Sequence, residues 1–456
     1  MSGVRVAVIG AGSSGVTSIK ALTETGLDVT AFEASDRIGG NWAIHNPNGT
    51  SAAYETLYMN TSRERMQFSD FPINPAYPDF PRHDQVARYF GDYADHFGLR
   101  DHIRFNTVVE RVDPLPGGGF EVRTAPRRGT AGGEAQTDGA GPSSCPTTGR
   151  FDAVVVANGH HWLPRWPEPM PAGAEDFAGE LMHAHAYRDP AQLDGRRVVV
   201  VGLGNSATDI AVDASYRAAS TTLSVRRGAH VIPKYVLGRP FDQVGVLPGL
   251  SDGLRWAASR PVLAALTGPM TRYGLPKPDH RLAEAHPTVS NRILDRLAHG
   301  AVTVRPVIER FEGDEVVFSD GTRQEADLVV YCTGYTVAFP FLDPAVLEPA
   351  GNRVRLYQRV FHPRIPGLSV VGLVQPLGAV MPLAEEQARL VADELSGRYA
   401  LPAPAEREAE MDRYEQWLAR RFVSSTRHTL EVDFDDYRRQ LRRERRKGAA
   451  RAPSLT

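Results

Sequence analysis

A short apolar, β-branched run, Val4-Arg5-Val6-Ala7-Val8-Ile9, stops at Gly10, and helical spacing resumes from Val16. That order predicts a buried strand, a tight turn and a helix start. The turn holds Gly10-x-Gly12-x-x-Gly15, with Ser13 and Ser14 inside it. Gly10 permits the bend, Gly12 lets backbone approach a pyrophosphate, and Gly15 lets helix and strand pack closely. The helix N-terminus then offers its free N–H groups to phosphate. The next strand, Asp28–Glu33, ends in Glu33, at the distance where an acid that accepts ribose hydroxyls is expected. A glycine-rich turn without a ligand has no need of that acid, so the stretch reads as a site for an adenine dinucleotide.

The arrangement recurs once. Val198-Val199-Val200-Val201-Gly202-Leu203-Gly204-Asn205-Ser206-Ala207 is again strand, GxGxx(G/A) and helix start. Its following strand, Thr221–Val225, ends in Arg226-Arg227 where the first copy has Glu33. Arginine cannot accept a hydrogen bond from a ribose hydroxyl, but its planar fork suits a 2′-phosphate. The alternative for this pair is a solvated basic strand end. The first site therefore reads as built for an unphosphorylated adenosine and the second for NADPH. Two nested dinucleotide sites point to electron transfer between a nicotinamide and a flavin. The expected fold class is α/β, with two nested doubly wound, Rossmann-like dinucleotide-binding domains.

Composition removes several other classes. A net charge of −2 over 456 residues exerts no global pull toward nucleic acid or an anionic membrane. No stretch reaches the about 18 unbroken apolar residues of a membrane span. The N-terminus runs straight into the first strand, leaving no room for a signal peptide, so the expected setting is cytoplasmic. Cys145 and Cys332 lie far apart and supply neither a disulfide framework nor a CxxC pair. That argues against a disulfide reductase, which shares two nested dinucleotide domains. A nucleotide-binding protein without turnover is the competitor from another class.

Between the two fingerprints, Gly39-Gly40-Asn41-Trp42 allows another close backbone approach, with Trp42 set either against a flat ring or simply as a packing residue. Tyr54–Pro81 reads as irregular structure over one side of the cofactor, and His83–Leu99 as a helix. Ala125–Gly149, poor in apolar residues, is expected to be a mobile surface insertion. Phe151–Gly159 is a second apolar strand, followed by His160-His161, which as neighbours on an extended chain should point opposite ways and make a poor metal site. Helices are expected at Leu254–Leu266, Pro287–Ala298 and Leu383–Leu395. Asp320-Gly321-Thr322 is expected to turn the chain between Val316–Phe318 and Asp327–Cys332. Cys332-Thr333-Gly334-Tyr335 closes that strand, Leu368–Leu373 is one more, and Gln375-Pro376-Leu377-Gly378 follows. Met411, Tyr414, Leu418 and Phe422 form an amphipathic stripe, and Arg438–Lys447 reads as a solvated, partly disordered basic end.

Taken together these segments resemble the flavin-containing monooxygenases over most of the chain. Phe177-x-Gly179-x-x-x-His183-x-x-x-Tyr187 looks like that family's fingerprint, between its two glycine loops; in the related Baeyer–Villiger enzymes the last position is typically Trp. Met59-Asn60-Thr61-Ser62-Arg63-Glu64, Phe68-Ser69-Asp70-Phe71-Pro72, Gly159-His160-His161 and Cys332-Thr333-Gly334-Tyr335 follow in family order. Met59, Arg63 and Cys332 stand where Thr, Lys and Ala are common. The animal enzymes' hydrophobic C-terminal anchor has no counterpart, so a soluble, bacterial-type member is expected.

The resemblance implies FAD on Gly10, Gly12, Ser14, Gly15 and Glu33, and NADPH on Gly202, Gly204, Asn205, Ser206, Ala207, Arg226 and Arg227. It also implies cofactor contacts at Gly40, Asn41, Trp42, His160, Thr333, Gly334 and Gln375. Asn60 is the implied polar group at the flavin's reactive edge. The implied reaction uses NADPH to reduce FAD. A flavin C4a-hydroperoxide then passes one atom of O2 to a nucleophilic amine nitrogen or thioether sulfur of a small molecule. Baeyer–Villiger oxidation of ketones is the alternative, and an oxidase releasing H2O2 a more distant one. Expected domains are an FAD domain from residues 1–163 and 305–456, with an NADPH domain inserted at 164–304. A homodimer is the default assembly.

Overall fold

The computed structural model describes residues 3–127, 146–244, 252–282, 284–422 and 429–453. Two five-stranded sheets organise it. In the first, Arg5–Ile9 lies centrally, paired in parallel with Asp28–Phe32 on one side and Ala153–Val156 on the other. Ile103–Arg104 and Leu368–Val370 complete its two edges, also in parallel. The second sheet repeats the plan with Arg197–Val201 between Ser220–Ser224 and Leu328–Tyr331, flanked by Thr303–Arg305 and Glu180–His183. The central strands are buried on both faces, which is why they read as unbroken Val, Ile and Ala rather than as an alternating pattern.

The helices Ser13–Thr23 and Met381–Leu395 cover the first sheet, packing Val16, Ile19 and Leu22 with Leu383, Leu390 and Val391 in the largest apolar cluster. The helix Asn205–Arg217 does the same for the second sheet through Ala207, Ile210, Ala211 and Ala214. Among the described residues no helix is long and apolar enough to cross a membrane.

Several sequence expectations change here. Leu328–Tyr331 pairs with Arg197–Val201, so the chain stays in the second sheet up to Tyr331 and the expected boundary at residues 304/305 falls too early. The reason lies in the hairpin. Asp320-Gly321-Thr322 turns Glu315–Phe318 back onto the short Arg323–Glu325, which frees Leu328–Tyr331 to enter the parallel sheet. Within Pro287–Ala298 only Ile293–Ala298 is helical. The β-branched pair Thr288-Val289 extends instead, in a parallel bridge to Val231–Ile232.

The basic end is an ordered helix, Phe434–Arg451, with Phe434, Tyr437, Leu441 and Gly448 buried. Its arginines find acids on the neighbouring helix, Arg442 on Glu386 and Arg445 on Asp393, so ion pairing across helices offsets a charge run that looks solvated in isolation. Of the expected insertion, residues 128–145 lie outside the described residues. Its ends, Phe120–Pro126 and Thr147–Phe151, pair as antiparallel strands.

The chain crosses between the two sheets twice. The crossings, Leu163–Pro164 and Tyr335–Thr336, pair antiparallel. Arg165 stitches them, donating from its backbone N–H to Gly334 O at 3.0 Å and from its guanidinium Nη2 to Thr333 O at 2.6 Å.

Candidate functional site

The first glycine loop is shaped by contacts that exclude side chains. Gly10 sits at φ +102°, and a Cβ there would lie 2.7 Å from Ala157 O. A Cβ on Gly15 would lie 2.0 Å from Gly10 O, so helix and strand meet backbone to backbone. Gly40, at φ +53°, approaches the Gly12 backbone so closely that its Cβ would stand 3.0 Å from Gly12 Cα. The two loops therefore form one cradle. Gly372 adds a third wall: it follows the buried strand Leu368–Val370, and a Cβ on it would lie 2.0 Å from Ser14 Oγ. A glycine just past an apolar strand is the signal shared with Gly10 and Gly202 that could have found it.

The helices leaving both glycine loops share one feature. Ser13–Thr23 starts at Gly12 and Asn205–Arg217 at Gly204, each without a side-chain cap and without an acid in its first turn. Asp84 opens His83–His96 and Asp435 and Asp436 open Phe434–Arg451, whereas Met381–Leu395 also starts without a cap or an acid. Uncapped N–H groups and an uncompensated positive dipole end are what a phosphate ligand requires.

Glu33 is buried behind the first cradle. Its Oε2 accepts from Ala11 N at 2.7 Å, and its Oε1 from Ser35 N at 2.7 Å and Asn48 Nδ2 at 3.3 Å. Burial raises its pKa and these three donors work against that. Oε2 keeps a second lone pair for a ribose hydroxyl. Asn41 braces the adjoining loop, its Oδ1 accepting from Ala52 N at 2.8 Å, and Trp42 packs against the first core. The cradle glycines, the open helix end and the buried acid suit an FAD pyrophosphate and ribose.

In the second loop Gly202, at φ +126°, passes so close to Cys332 that a Cβ would lie 3.0 Å from its carbonyl oxygen. Ala207 is fully buried in the position of the third glycine. Asn205 Oδ1 accepts from Val289 N at 2.9 Å, while Ser206 makes no side-chain hydrogen bond among the described residues. The structure separates the two arginines. Arg227 is drawn to Asp279, with Nε to Oδ2 at 2.9 Å, whereas Arg226 is exposed and makes no ion pair among the described residues.

The remaining expected positions divide. Thr333 and Gly334 give their carbonyls to Arg165 and thus belong to the crossing ribbon. Gln375 donates its backbone N–H to Leu430 O at 2.8 Å, and its side chain makes no hydrogen bond among the described residues. The His160 and His161 rings do not diverge: their centroids are 4.2 Å apart. Gly159 at φ +73° bends the chain out of the extended geometry on which that expectation rested. Burial and the neighbouring His161 hold the His160 pKa well below the ordinary value, so it is neutral, and its buried Nε2 has no partner among the described residues.

Between the cradles lies the irregular segment from Gly49 to Arg82. It is held from both sides: Met59, Met66 and Phe68 pack in the first core, while its start is tied to the second. Tyr54 OH donates to Asp209 at 2.7 Å, and Tyr187 OH to Asp213 at 2.8 Å, the two acids standing one turn apart on the helix Asn205–Arg217. Thr56 donates to Asp213 as well, and Glu55 N to Arg188 O at 2.9 Å. Burial pushes the Asp209 carboxyl up to about 6, opposed by the Tyr54 hydroxyl and the Lys234 charge. Asn60 sits within this segment, and its side chain makes no hydrogen bond among the described residues.

Comparisons with known proteins agree with this architecture. The family model for flavin-binding monooxygenase-like proteins matches residues 3–445. Flavin-containing monooxygenase 5 of Rattus norvegicus is 37% identical, over 96% of this chain and 81% of its own. Dimethylaniline monooxygenase [N-oxide-forming] 2 of Oryctolagus cuniculus is 33% identical, over 96% and 82% respectively. Among solved structures, S-allyl-L-cysteine S-oxygenase from Allium sativum superposes with a TM-score of 0.70 at 27% identity, covering 97% of this chain and 89% of that one. Cyclohexanone monooxygenase shares the fold at a TM-score of 0.72 and 20% identity, covering 98% of both chains. Two nested parallel sheets, each opening on an uncapped glycine loop, and a match over nearly the whole chain make this protein a member of the flavin-containing monooxygenase family, which works with FAD and NADPH.

Proposed function

We propose that the protein oxygenates a small soft nucleophile, an amine nitrogen or a thioether sulfur, with one atom of O2. FAD would occupy the Gly10–Gly15 cradle and NADPH the Gly202–Ala207 cradle. The carrying observation is that the two cradles differ in the group behind them, a buried acid in one and an exposed arginine without an ion pair among the described residues in the other, and share one junction. The relatives' names, an N-oxide-forming monooxygenase and an S-oxygenase, supply the substrate class. The first sheet with the C-terminal helices is the FAD domain, and residues from about 164 to Tyr331 form the NADPH domain.

Bound FAD supplies the hydride acceptance and the oxygen activation. The chain must bind, orient and keep water out. Glu33 orients the adenosine ribose, and the open helix ends hold the pyrophosphates. Asn60, a neutral amide whose side chain makes no hydrogen bond among the described residues, would hydrogen-bond at the flavin edge without demanding a protonation state. Asn60→Leu is expected to keep its flavin but lower product formed per NADPH by about tenfold, with a matching rise in H2O2. Coupled assays of NADPH, peroxide and product check this, and unchanged coupling removes Asn60 from the site.

Arg226→Ala should raise the KM for NADPH by about thirtyfold or more, as expected for loss of a charge-assisted fork to phosphate, and leave that for NADH nearly unchanged. Arg227→Ala should do far less, because Asp279 already occupies that guanidinium. Steady-state kinetics with both nucleotides decide it, and equal effects on NADPH and NADH would mean that Arg226 does not read the phosphate.

The proposal as a whole is tested by supplying purified FAD-loaded protein with NADPH, O2 and a panel of amines, sulfides and ketones. N-oxides or sulfoxides are expected. Esters or lactones from the ketones alone would move the reaction to the Baeyer–Villiger class, and peroxide alone would make the protein an oxidase.

A further inference from the structure

The backbone around Asn60 is gripped from the second domain at two points. Lys234 Nζ donates to Met59 O at 2.9 Å, the carbonyl of the peptide that leads into Asn60. Two residues beyond Asn60, the Ser62 backbone N–H donates to Asp242 Oδ2 at 2.7 Å. Gln243 reinforces that end, its Nε2 lying 3.0 Å from Ser62 Oγ and 2.9 Å from Glu64 Oε2. Both charged groups come from one short stretch, Val231–Gln243, which is further fixed by Tyr235 OH donating to Asp79 at 2.9 Å.

Each of the two groups is desolvated to make its contact. The Lys234 ammonium lies 5.0 Å from the Phe80 ring centroid and 5.9 Å from that of Tyr58. Asp242 Oδ1 is buried with no partner among the described residues. Burying a charge is unfavourable unless partners compensate, and beside Asp209 for Lys234 and Arg65 for Asp242 the compensating partners are the backbone groups of Met59 and Ser62. Both side chains reach out of the second domain to the backbone at residues 59 and 62, Lys234 while also facing the Asp209 charge on the helix Asn205–Arg217.

We propose that Lys234 and Asp242 are positioning residues for oxygen transfer, holding the backbone on both sides of Asn60 so that its amide is set at the flavin edge only while the two domains are docked. The inference rests on the role given to Asn60 above. Parting of the domains breaks both bonds at once, and the loop loses its register before oxygen chemistry can proceed. Coupling of NADPH use to product therefore depends on residues that touch neither FAD nor the oxygen acceptor.

The experiment uses full-length, FAD-loaded protein and measures H2O2 released per NADPH consumed, with saturating N,N-dimethylaniline or methyl phenyl sulfide, whichever the wild type turns over. Flavin content and thermal midpoint report on folding. Lys234→Met and Asp242→Ala are each expected to raise the peroxide share about tenfold, and Lys234→Arg to restore most of it, since a guanidinium can donate to the same carbonyl. Lys234→Met added to Asn60→Leu should cost little more than Asn60→Leu alone, because both act on one amide. A wild-type peroxide share in both Lys234→Met and Asp242→Ala, beside a raised share in Asn60→Leu, overturns the clamp. A raised share in Lys234→Met with none in Asn60→Leu overturns instead the role given to Asn60. Should one variant fail to fold, the other, lying on the opposite side of Asn60, carries the test.

Discussion

Gly15→Ala is expected to yield protein that retains no flavin and is destabilised by about 3 kcal/mol or more. The added Cβ would stand 2.0 Å from the Gly10 carbonyl oxygen and 2.8 Å from its carbon. Both partners are backbone, so no rotamer change relieves the overlap. Relief requires the helix Ser13–Thr23 to lift from the strand Arg5–Ile9, and that moves the open N–H groups away from where the pyrophosphate would sit. The visible flavin absorbance relative to protein, and the thermal midpoint, read the result. Gly26→Ala is the matched control: φ is +82°, nothing lies within 4 Å of its Cβ, and the expected cost is about 1 kcal/mol with flavin retained. Stoichiometric flavin in Gly15→Ala would show that close packing of helix on strand does not build the cradle.

What was legible in the sequence is what is local. Gly10, Gly12 and Gly15 act within one strand–turn–helix unit, and so do Gly202, Gly204 and Ala207, so their spacing carries the structure. The acid at Glu33 is legible because the parallel pairing of Arg5–Ile9 with Asp28–Phe32 leaves the next residue beside the turn. Lys234 and Asp242 were not legible. Their partners lie 175 and 180 residues away, and no spacing rule joins a lysine in a bend between two short strands to a loop carbonyl in another domain. The early domain boundary had a similar cause, for an apolar strand after a turn reads equally well as a hairpin arm or as a member of a parallel sheet. The basic end differs in kind. Phe434, Tyr437 and Leu441 recur at helical spacing, but a run of like charges around so narrow an apolar stripe reads equally well as a solvated end. Only the structure shows that Glu386 and Asp393 wait on a neighbouring helix to pair those charges.

Arg359→Ala is expected to lower stability by about 3–5 kcal/mol and to speed release of flavin, although Arg359 is remote in sequence from either glycine loop. Its side chain is 7% exposed and pairs with Glu410, whose side chain is 12% exposed. The guanidinium lies 4.2 Å from the Tyr414 ring centroid and 5.1 Å from that of Tyr437, so one cation holds the helices Pro404–Arg421 and Phe434–Arg451 together. Gln358 and Arg359 both take positive φ, +54° and +59°, a conformation L side chains adopt only when surroundings impose it. From that turn a hydrogen-bonded chain runs to the cradle. Tyr437 OH donates to Gln358 O at 2.6 Å, Gln387 Nε2 donates to Tyr437 OH at 2.8 Å, and Gly372 N donates to Gln387 Oε1 at 2.8 Å. Gly372 is the residue that presses on Ser14. Removing Arg359 strands the Glu410 charge in a buried site, and Glu410→Ala strands Arg359 in the same way. The double variant Arg359→Ala, Glu410→Ala leaves no lone charge, so its loss should be well short of the sum of the single losses. Denaturant unfolding of the three variants, together with the rate at which each sheds flavin on dilution, measures the coupling. Additive losses, or flavin release unaffected by either single change, would mean that the C-terminal helices merely cover the first sheet. Coupled losses would make them part of what keeps the cofactor in place.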